Sequence, residues 1–571
     1  MSLIDDIFTA RGMTPDERAV FLSPAYEKKH DPFLLPDMQA AVDRLVIARD
    51  KQEKITIYGD YDIDGLTATT VLIDALGSFG FEHVSAFIPN RFVEGYGLTI
   101  DAVEKIAATG AQLILTVDCG SLSHKEIERA NELQIDVIVT DHHNVADTPP
   151  PAIATINPKR LLHDYPEMYK GFVLKADVET NLALYPFLDI PGVGVAFKLV
   201  QALQTVLPGL PAGQEKWLLD LVALGTVCDV VTLIDENRMH VFWGLKVLAA
   251  TRRPGLKALM AVADVRPETL NARSLGFGLG PRMNASGRME TAQYSLDLLT
   301  ATDGLQALEI ANHLDVMNKT RRADQDEILK AAIIQAETYA DMPVLVVSAK
   351  GWNHGIVGIV AAKLLEKYKK PAYVLEEIGE ETKGSARSYG DFSAADAIRA
   401  SDDIITKGGG HKLAAGVTLP TENIAAFRKR VNDFYRQQNL LNQPALLLPK
   451  ADGTARFHDL DEALVASLKQ LEPFGSGNPQ PILKSLQVVV VNQRTMGASS
   501  QHVKLTLEME GRKVDMIAFN APPHFFVEPG EIVDVWYTVD VNEWNGRRSV
   551  EGQLLHLESH SEAIDAPERV D

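Results

Sequence analysis

The sequence predicts an α/β protein with a doubly wound parallel sheet, a long helix leading to a second α/β unit, and a small C-terminal β-barrel. Three observations carry this. Apolar, β-branched runs alternate with helical stretches from about residue 50 to 145. A single amphipathic pattern runs from Leu305 through Tyr339. Five strand patterns then fall within about 75 residues near the C-terminus.

Residues 1–45 mix short helical patterns with Pro32, Pro36 and the charged run Glu27 to Asp31, and read as a cap on the first domain. That domain spans 46–305 and is organised around Ile55-Thr56-Ile57-Tyr58-Gly59-Asp60-Tyr61-Asp62-Ile63-Asp64-Gly65. The apolar start reads as a buried strand. If the chain stays extended, a period of two points Asp60, Asp62 and Asp64 the same way. Three like charges on one face are costly unless cations sit between them. The pattern recurs: Leu113–Val117 runs into Asp118, and Val137–Thr140 runs into Asp141-His142-His143. In an open α/β sheet the C-terminal strand edge is where sites are built. Residues 190–260 are helical, with a tight helix start at Pro191-Gly192-Val193-Gly194, and Val222 to Cys228 delivers Asp229.

The connecting helix takes 306–340 and the second α/β unit 341–450, beginning at Val344-Leu345-Val346-Val347 and carrying Gly408-Gly409-Gly410-His411. In 451–560, Leu486–Asn492, Val503–Glu508, Lys513–Phe519, Ile532–Val541 and Arg548–Leu557 read as strands, with turns at Met496-Gly497 and Trp544-Asn545-Gly546. Five short strands suit an OB-fold. Residues 561–571 read as a solvated tail.

Composition narrows the function classes. The 571 residues carry a net charge of −21, which argues against coating duplex DNA through one broad basic face but leaves room for a narrow basic channel. No apolar run approaches a membrane span and the N-terminus lacks a basic leader, so a cytoplasmic protein without a membrane partner is expected. The two cysteines, Cys119 and Cys228, form no CxxC pair.

Asp60, Asp62, Asp64, Asp118, His142, His143 and Asp229 form a carboxylate set with imidazole. All-oxygen donors favour Mg²⁺ or Ca²⁺, with added imidazole moving preference toward Mn²⁺. So many acids suggest two ions about 3.5–4 Å apart bridged by a shared carboxylate, as in phosphoryl hydrolysis. A structural Asp/His set would explain one motif; three strand-end motifs together favour metal.

Asp141-His142-His143 in this context resembles the DHH phosphoesterase family, and Gly59 to Gly65, Thr116 to Gly120 and Gly225 to Val231 look like its other motifs. Gly408-Gly409-Gly410-His411 is similar to the hallmark of its associated second domain, and Leu471 to Pro479 resembles a bacterial branch whose chains add an OB-fold. The resemblance covers nearly the whole chain. It implies a 5′→3′ exonuclease on single-stranded DNA, acting as a monomer in repair and recombination, with a single-stranded-DNA-binding protein and a helicase as partners. Carried over by position, Asp62 and Asp118 hold one ion, and Asp64, Asp118, His142 and Asp229 the other. Asp60, His143, Arg282 and His411 stand next to the reaction. Arg91 and Tyr96 would meet a phosphate and a base, while Arg282, Asn284 and Arg288 contact backbone. Ser385, Arg387, Gly409, Gly410 and His411 would capture a terminal phosphate, the glycine run forming an anion nest completed by the following helix. In the barrel, Lys504 and Trp544 are the phosphate-tracking and stacking candidates. Two other readings use the same motifs: a phosphodiesterase for short oligonucleotides or cyclic dinucleotides, which needs no barrel, and a non-catalytic DNA-binding scaffold, whose relatives lose ligands.

Overall fold

The structure is a computed structural model and describes residues 3–167, 169, 184–438, 440, 444–497, 500–544 and 546–560; the side chains of Pro444, Ala445 and Trp544 are not among what it describes. The tail at 561–571 and the turn residue Asn545 lie outside the described residues. The chain divides into two compact units: Tyr26–Leu446 forms one, and the segments up to Ala25 and from Leu447 form the other.

In the larger unit, β1 (Ile55–Gly59), β2 (Val84–Phe87), β3 (Leu113–Val117), β4 (Asp136–Thr140) and β5 (Ala154–Ile156) form a parallel sheet in the order β2-β1-β3-β4-β5. Both faces are covered, which is why the strands read as near-continuous apolar runs. Ile55, Ile57, Leu113, Leu115 and Val117 join the core of helices Ile63–Ser78 and Gly192–Gln204. Tyr58, Ile114, Val137 and Val139 pack the other way, against Val103, Ile106 and Ile127 of helices Ile100–Ala108 and His124–Glu132. Register sets the site. Gly59 pairs with Val117, and Val117 with Thr140, so the residues that follow, Asp60, Asp118 and Asp141, emerge level at one sheet edge.

The helix Gly304–Glu337 is 34 residues long, about 50 Å at 1.5 Å per residue. Asp303 caps it by accepting the N–H groups of Leu305 and Gln306. Ala307, Ala311 and Leu314 pack into the first core, and Ile328, Ala332 and Ala336 into that of the second lobe. That lobe holds a mixed sheet, β6 (Leu345–Lys350), β7 (Ala372–Ile378), β8 (Glu381–Arg387), β9 (Lys407–Gly410) and β10 (Ala414–Pro420), in the order β6-β7-β8-β10-β9.

In the smaller unit, β11 (Gly453–Thr454), β12 (Leu483–Met496), β13 (His502–Met509), β14 (Arg512–Ala518), β15 (Ile532–Trp544) and β16 (Arg547–Ser559) run in the order β11-β12-β13-β14-β16-β15. Pairing of β12 with β15 closes a five-stranded barrel, and β14 and β16 run parallel within it. The expected N-terminal cap divides. Helix Met38–Asp50 packs on the first lobe. The helices Leu3–Ala10 and Pro15–Leu22 instead bury Ile7, Phe8 and Phe21 in the barrel core. Arg11 fastens them there, donating to Asp452 at 2.9 Å and to Asn478 at 2.8 Å. Asn478 in turn donates to the carbonyls of Leu471 and Pro473, so the Leu471 to Pro479 run is ordered as a structural loop of this unit. An apolar stripe on a short helix does not say which core it enters, so the sequence could not separate these outcomes.

Candidate active site

The three acids after β1 do not share an extended face. The strand ends at Gly59, Asp62 caps the helix Ile63–Ser78 by accepting the Gly65 N–H at 3.2 Å, and Asp64 lies in its first turn. Gly65 allows this tight reversal, because a Cβ there would lie 2.5 Å from the carbonyl oxygen of Asp60. Asp64 is buried and accepts the Gly192 N–H at 2.6 Å and the Val193 N–H at 2.8 Å. A glycine-led helix start is an anion site, and here the anion is the protein's own carboxylate.

Asp118 follows β3 with φ at 61°, a left-handed conformation that Asp tolerates better than most residues. Its N–H donates to Thr140 O at 2.9 Å. His142 Nε2 lies 3.1 Å from Asp118 Oδ1, 3.6 Å from Asp229 Oδ2 and 3.7 Å from Asp64 Oδ2. Asp229 is the C-cap of helix Leu219–Cys228. Ligand-type atoms of Asp64, His142 and Asp229 lie within 4.8 Å of one another, as do those of Asp60, Asp62 and Asp118. The short approach of Asp118 to His142 joins the two groups. Asp60 Oδ1, Asp118 Oδ1, His142 Nε2 and Asp229 Oδ2 are all buried without a hydrogen-bond partner. Buried polar atoms seldom go unpaired; four of them spread over these two adjoining groups fit divalent cations, and the oxygen-rich set with one imidazole fits Mg²⁺ or Mn²⁺.

Protonation follows the same geometry. Burial, then the neighbouring carboxylates, pushes Asp60 and Asp118 well above the usual range. The same causes raise Asp229, and they lift Asp64 to about 7. Burial and the adjacent His143 push His142 down to about 3, leaving its imidazole neutral and ready to ligate. Asp141 is no ligand. Its Oδ1 accepts from His143 Nδ1 at 2.9 Å and from the His142 N–H at 2.7 Å, and its Oδ2 from the Ser121 N–H at 3.0 Å. Burial, the largest single influence, opposes its ionisation, but the hydrogen bonds and charge of His143 together with the charge of His142 outweigh it and hold the carboxyl well below its usual range. Asp141 thereby fixes His143 with Nδ1 occupied, while the Tyr96 ring lies 5.8 Å away, edge to face.

Beside the candidate metal ligands runs a cleft of about 720 Å³ whose lining includes Tyr61, Tyr96, Arg91, Arg288, Ser385, Arg387 and Gly409. The Arg91 guanidinium stacks 4.4 Å over Tyr61. Arg288 donates to the Gly355 carbonyl at 2.9 Å, and Arg387 to that of Ala386 at 2.8 Å. His411 is exposed, its Nδ1 3.5 Å from Asn144 Nδ2.

Other expectations need correction. Arg282 is committed elsewhere: Nε donates to Asp315 at 2.8 Å and Nη1 to the Gly278 carbonyl at 2.7 Å. It braces helix Gly280–Met289, on which half-buried Asn284 also lies. Gly408 to Gly410 is an edge strand leading into a hairpin, with no helix following it. Gly410 (φ 137°) is needed because a Cβ would lie 2.6 Å from the Ala414 carbonyl. Lys504 is held between Asp515 at 2.8 Å and Glu551 at 3.2 Å, so its charge is already matched. Sequence reasoning also missed the helix-start amides of Gly192 and Val193, though the glycines of that start were their signal.

Family models match three stretches: the DHH family N-terminal domain over 54–226, the DHHA1 domain over 341–437, and the RecJ OB domain over 451–556. Fold and metal centre together define a metal-dependent phosphoesterase of the DHH class. The chain is 36% identical to the single-stranded-DNA-specific exonuclease RecJ of Bacillus subtilis, across 96% of this chain and 66% of that protein. It is 34% identical to the protein of the same name from Salmonella typhimurium, across 90% of this chain and 89% of that one. The structure of RecJ in complex with Mn²⁺ from Thermus thermophilus superposes with a TM-score of 0.77 at 27% identity, over 98% of this chain and 78% of that one. A second structure of that protein holds Mg²⁺. The chain belongs to the RecJ family of single-stranded-DNA-specific exonucleases.

Proposed function

We propose that this chain degrades single-stranded DNA from its 5′ end, hydrolysing phosphodiester bonds with two Mn²⁺ or Mg²⁺ ions and releasing mononucleotides. One observation carries the reading. Four partnerless buried donor atoms sit at the edge of a cleft whose arginines Arg91, Arg288 and Arg387 form no carboxylate ion pair among the described residues. Cations complete the first set and phosphates the second.

Asp62 and Asp118 would hold one ion, and Asp64, Asp118, His142 and Asp229 the other. When bound they supply an activated water and neutralise the developing charge. Asp60 would join the ligands or orient that water. His143, with Nδ1 tied to Asp141, keeps its other ring nitrogen for the scissile phosphate or the leaving oxygen. Tyr96 offers a stacking face for a base. Ser385 and Arg387 receive the terminal phosphate, which sets the polarity. A soluble, monomeric role in repair and recombination, in the cytoplasm beside a single-stranded-DNA-binding protein and a helicase, extends this reading; among the described residues no helix is long and apolar enough to cross a membrane.

Incubation with Mn²⁺ and end-labelled single strands, duplexes and dinucleotides tests it. Stepwise mononucleotide release from single strands alone is expected. Hydrolysis of dinucleotides with long strands untouched would overturn it.

A further inference from the structure

Arg321 lies midway along the helix Gly304–Glu337, between its two apolar stripes. Leu314 and Met317 enter the first core, Ile328 and Ala332 that of the second lobe. Between them Asn318, Arg321 and Gln325 form a buried polar ladder. Arg321 is only 7% exposed. Its hydrogen bonds go to neutral oxygens of its own helix: Nη1 to Gln325 Oε1 and Nη2 to Asn318 Oδ1, both at 2.8 Å. Nε is buried with no partner. No carboxylate forms an ion pair with it among the described residues. Asp315 on the same helix is taken by Arg282 and Lys319. Asp326 reaches it only at longer range, and neighbouring Arg322 repels it.

A buried cation without a counter-charge destabilises the fold that holds it. Arg288 is exposed to the same imbalance. Burial, followed by the charges of Arg91, Arg321 and Arg387, pushes its guanidinium down to about 10, with Asp62 opposing. Three guanidiniums, those of Arg91, Arg288 and Arg387, line the cleft, and the helix that carries Arg321 packs directly on helix Gly280–Met289, which carries Arg288.

We propose that Arg321 is a positioning residue for the substrate: it keeps a standing positive charge behind Arg288, so that phosphates in the cleft supply the counter-charge the protein withholds. The inference rests on the exonuclease reading above. It differs from a hinge role, in which the Asn318–Arg321–Gln325 ladder would only stiffen the connecting helix.

Full-length Arg321→Gln and Arg321→Lys variants separate the two, assayed with Mn²⁺ on a 5′-phosphorylated single strand. Gln removes the charge but keeps an amide donor for Asn318 or Gln325. It should raise KM about tenfold with kcat within about twofold. The slope of log affinity against log salt should flatten, but by less than the value of about 0.7 that goes with one direct phosphate contact on a single strand, because Arg321 acts from behind Arg288. Its Tm should match or exceed that of the parent, since an unmatched buried charge is gone. Lys should bring KM back to within about threefold of the parent value. An unchanged KM and salt slope in the Gln variant would overturn the proposal. So would a joint fall in Tm and kcat that Lys does not restore, the mark of a stiffening role. A parent protein that fails to degrade the strand would refute the exonuclease reading instead.

Discussion

The backbone N–H of Gly192 donates to Asp64 Oδ2 at 2.6 Å, tying the start of one helix to a metal-type ligand on another. The same glycine leaves room for Asp118: a Cβ there would lie 2.6 Å from the Asp118 Cβ and 2.7 Å from its Oδ1. One small residue therefore orients one proposed metal ligand and makes space for the carboxylate proposed to be shared between two ions.

Gly192→Ala should accordingly weaken metal binding without unfolding the chain. Groups that orient ligands are typically worth about 10–100-fold in affinity. Calorimetric titration with Mn²⁺ checks this; an affinity equal to the parent's would remove Gly192 from the account.

Asp118→Asn should abolish turnover while preserving the fold. Asn accepts the left-handed backbone at this position, where Ala would be strained. Losing the shared carboxylate charge should cost several kcal/mol of transition-state stabilisation, a drop in kcat of about 10³-fold or more. Circular dichroism and single-turnover kinetics together decide it, and near-parental turnover in Mn²⁺ would sink the two-ion assignment.

These two residues also mark how far the sequence could be read. Asp118 was legible because parallel strands are apolar throughout, so an acid at the end of Leu113–Val117 stands out. The level pairing of Gly59, Val117 and Thr140 then gathers such acids without further help. Gly192 was visible only as a helix start; its partner lies 128 positions away in sequence. Arg282 and Arg288 looked alike, two arginines on one motif, yet Asp315 claims the first and leaves the second in the cleft. Long-range pairing of this kind has no local signature, and the same holds for Lys504 with Glu551.

The metal-free protein should lose stability as pH rises. Asp60, Asp64, Asp118 and Asp229 hold protons more tightly folded than unfolded. Their contribution is full below the ordinary carboxylate range and is lost as pH climbs through the raised values, about 7 for Asp64. His142 acts oppositely, its share lost as pH falls toward about 3, but one imidazole faces four carboxylates. With EDTA present, Tm should be lower at about pH 8 than at about pH 5.5, and Mn²⁺ should raise it most at the higher pH, where ions replace protons. A metal-free Tm that climbs over that interval, with a metal increment independent of pH, contradicts the site.

Arg387→Ala should impair capture of the strand end more than chemistry. The guanidinium makes one hydrogen bond, to a neighbouring carbonyl, and lines the cleft. KM for a 5′-phosphorylated strand should rise more than kcat falls, while a 5′-hydroxyl strand is little affected. If parent and variant discriminate the two ends equally, Arg387 does not read the terminal phosphate.

The chain ends govern where the protein can be cut. Removing everything after residue 450 spares all the proposed ligands, but it also removes the core into which Ile7, Phe8 and Phe21 pack. Burying each such side chain contributes about 1.5–3 kcal/mol, so that fragment would expose an apolar stripe worth on the order of 5 kcal/mol. The fragment 26–446 lacks this defect, because Tyr26 onward packs into the core of the catalytic lobes. It should stay monodisperse, bind Mn²⁺ and hydrolyse short oligonucleotides, whereas 1–450 should aggregate. It should also bind long single strands more weakly than the whole chain and with a smaller salt dependence, since the barrel's basic and aromatic side chains are gone. Light scattering on the two fragments and affinity for a long strand at fixed salt are the measurements. Equal solubility would show that the first two helices need no barrel, and equal affinity that the barrel is no DNA-binding module.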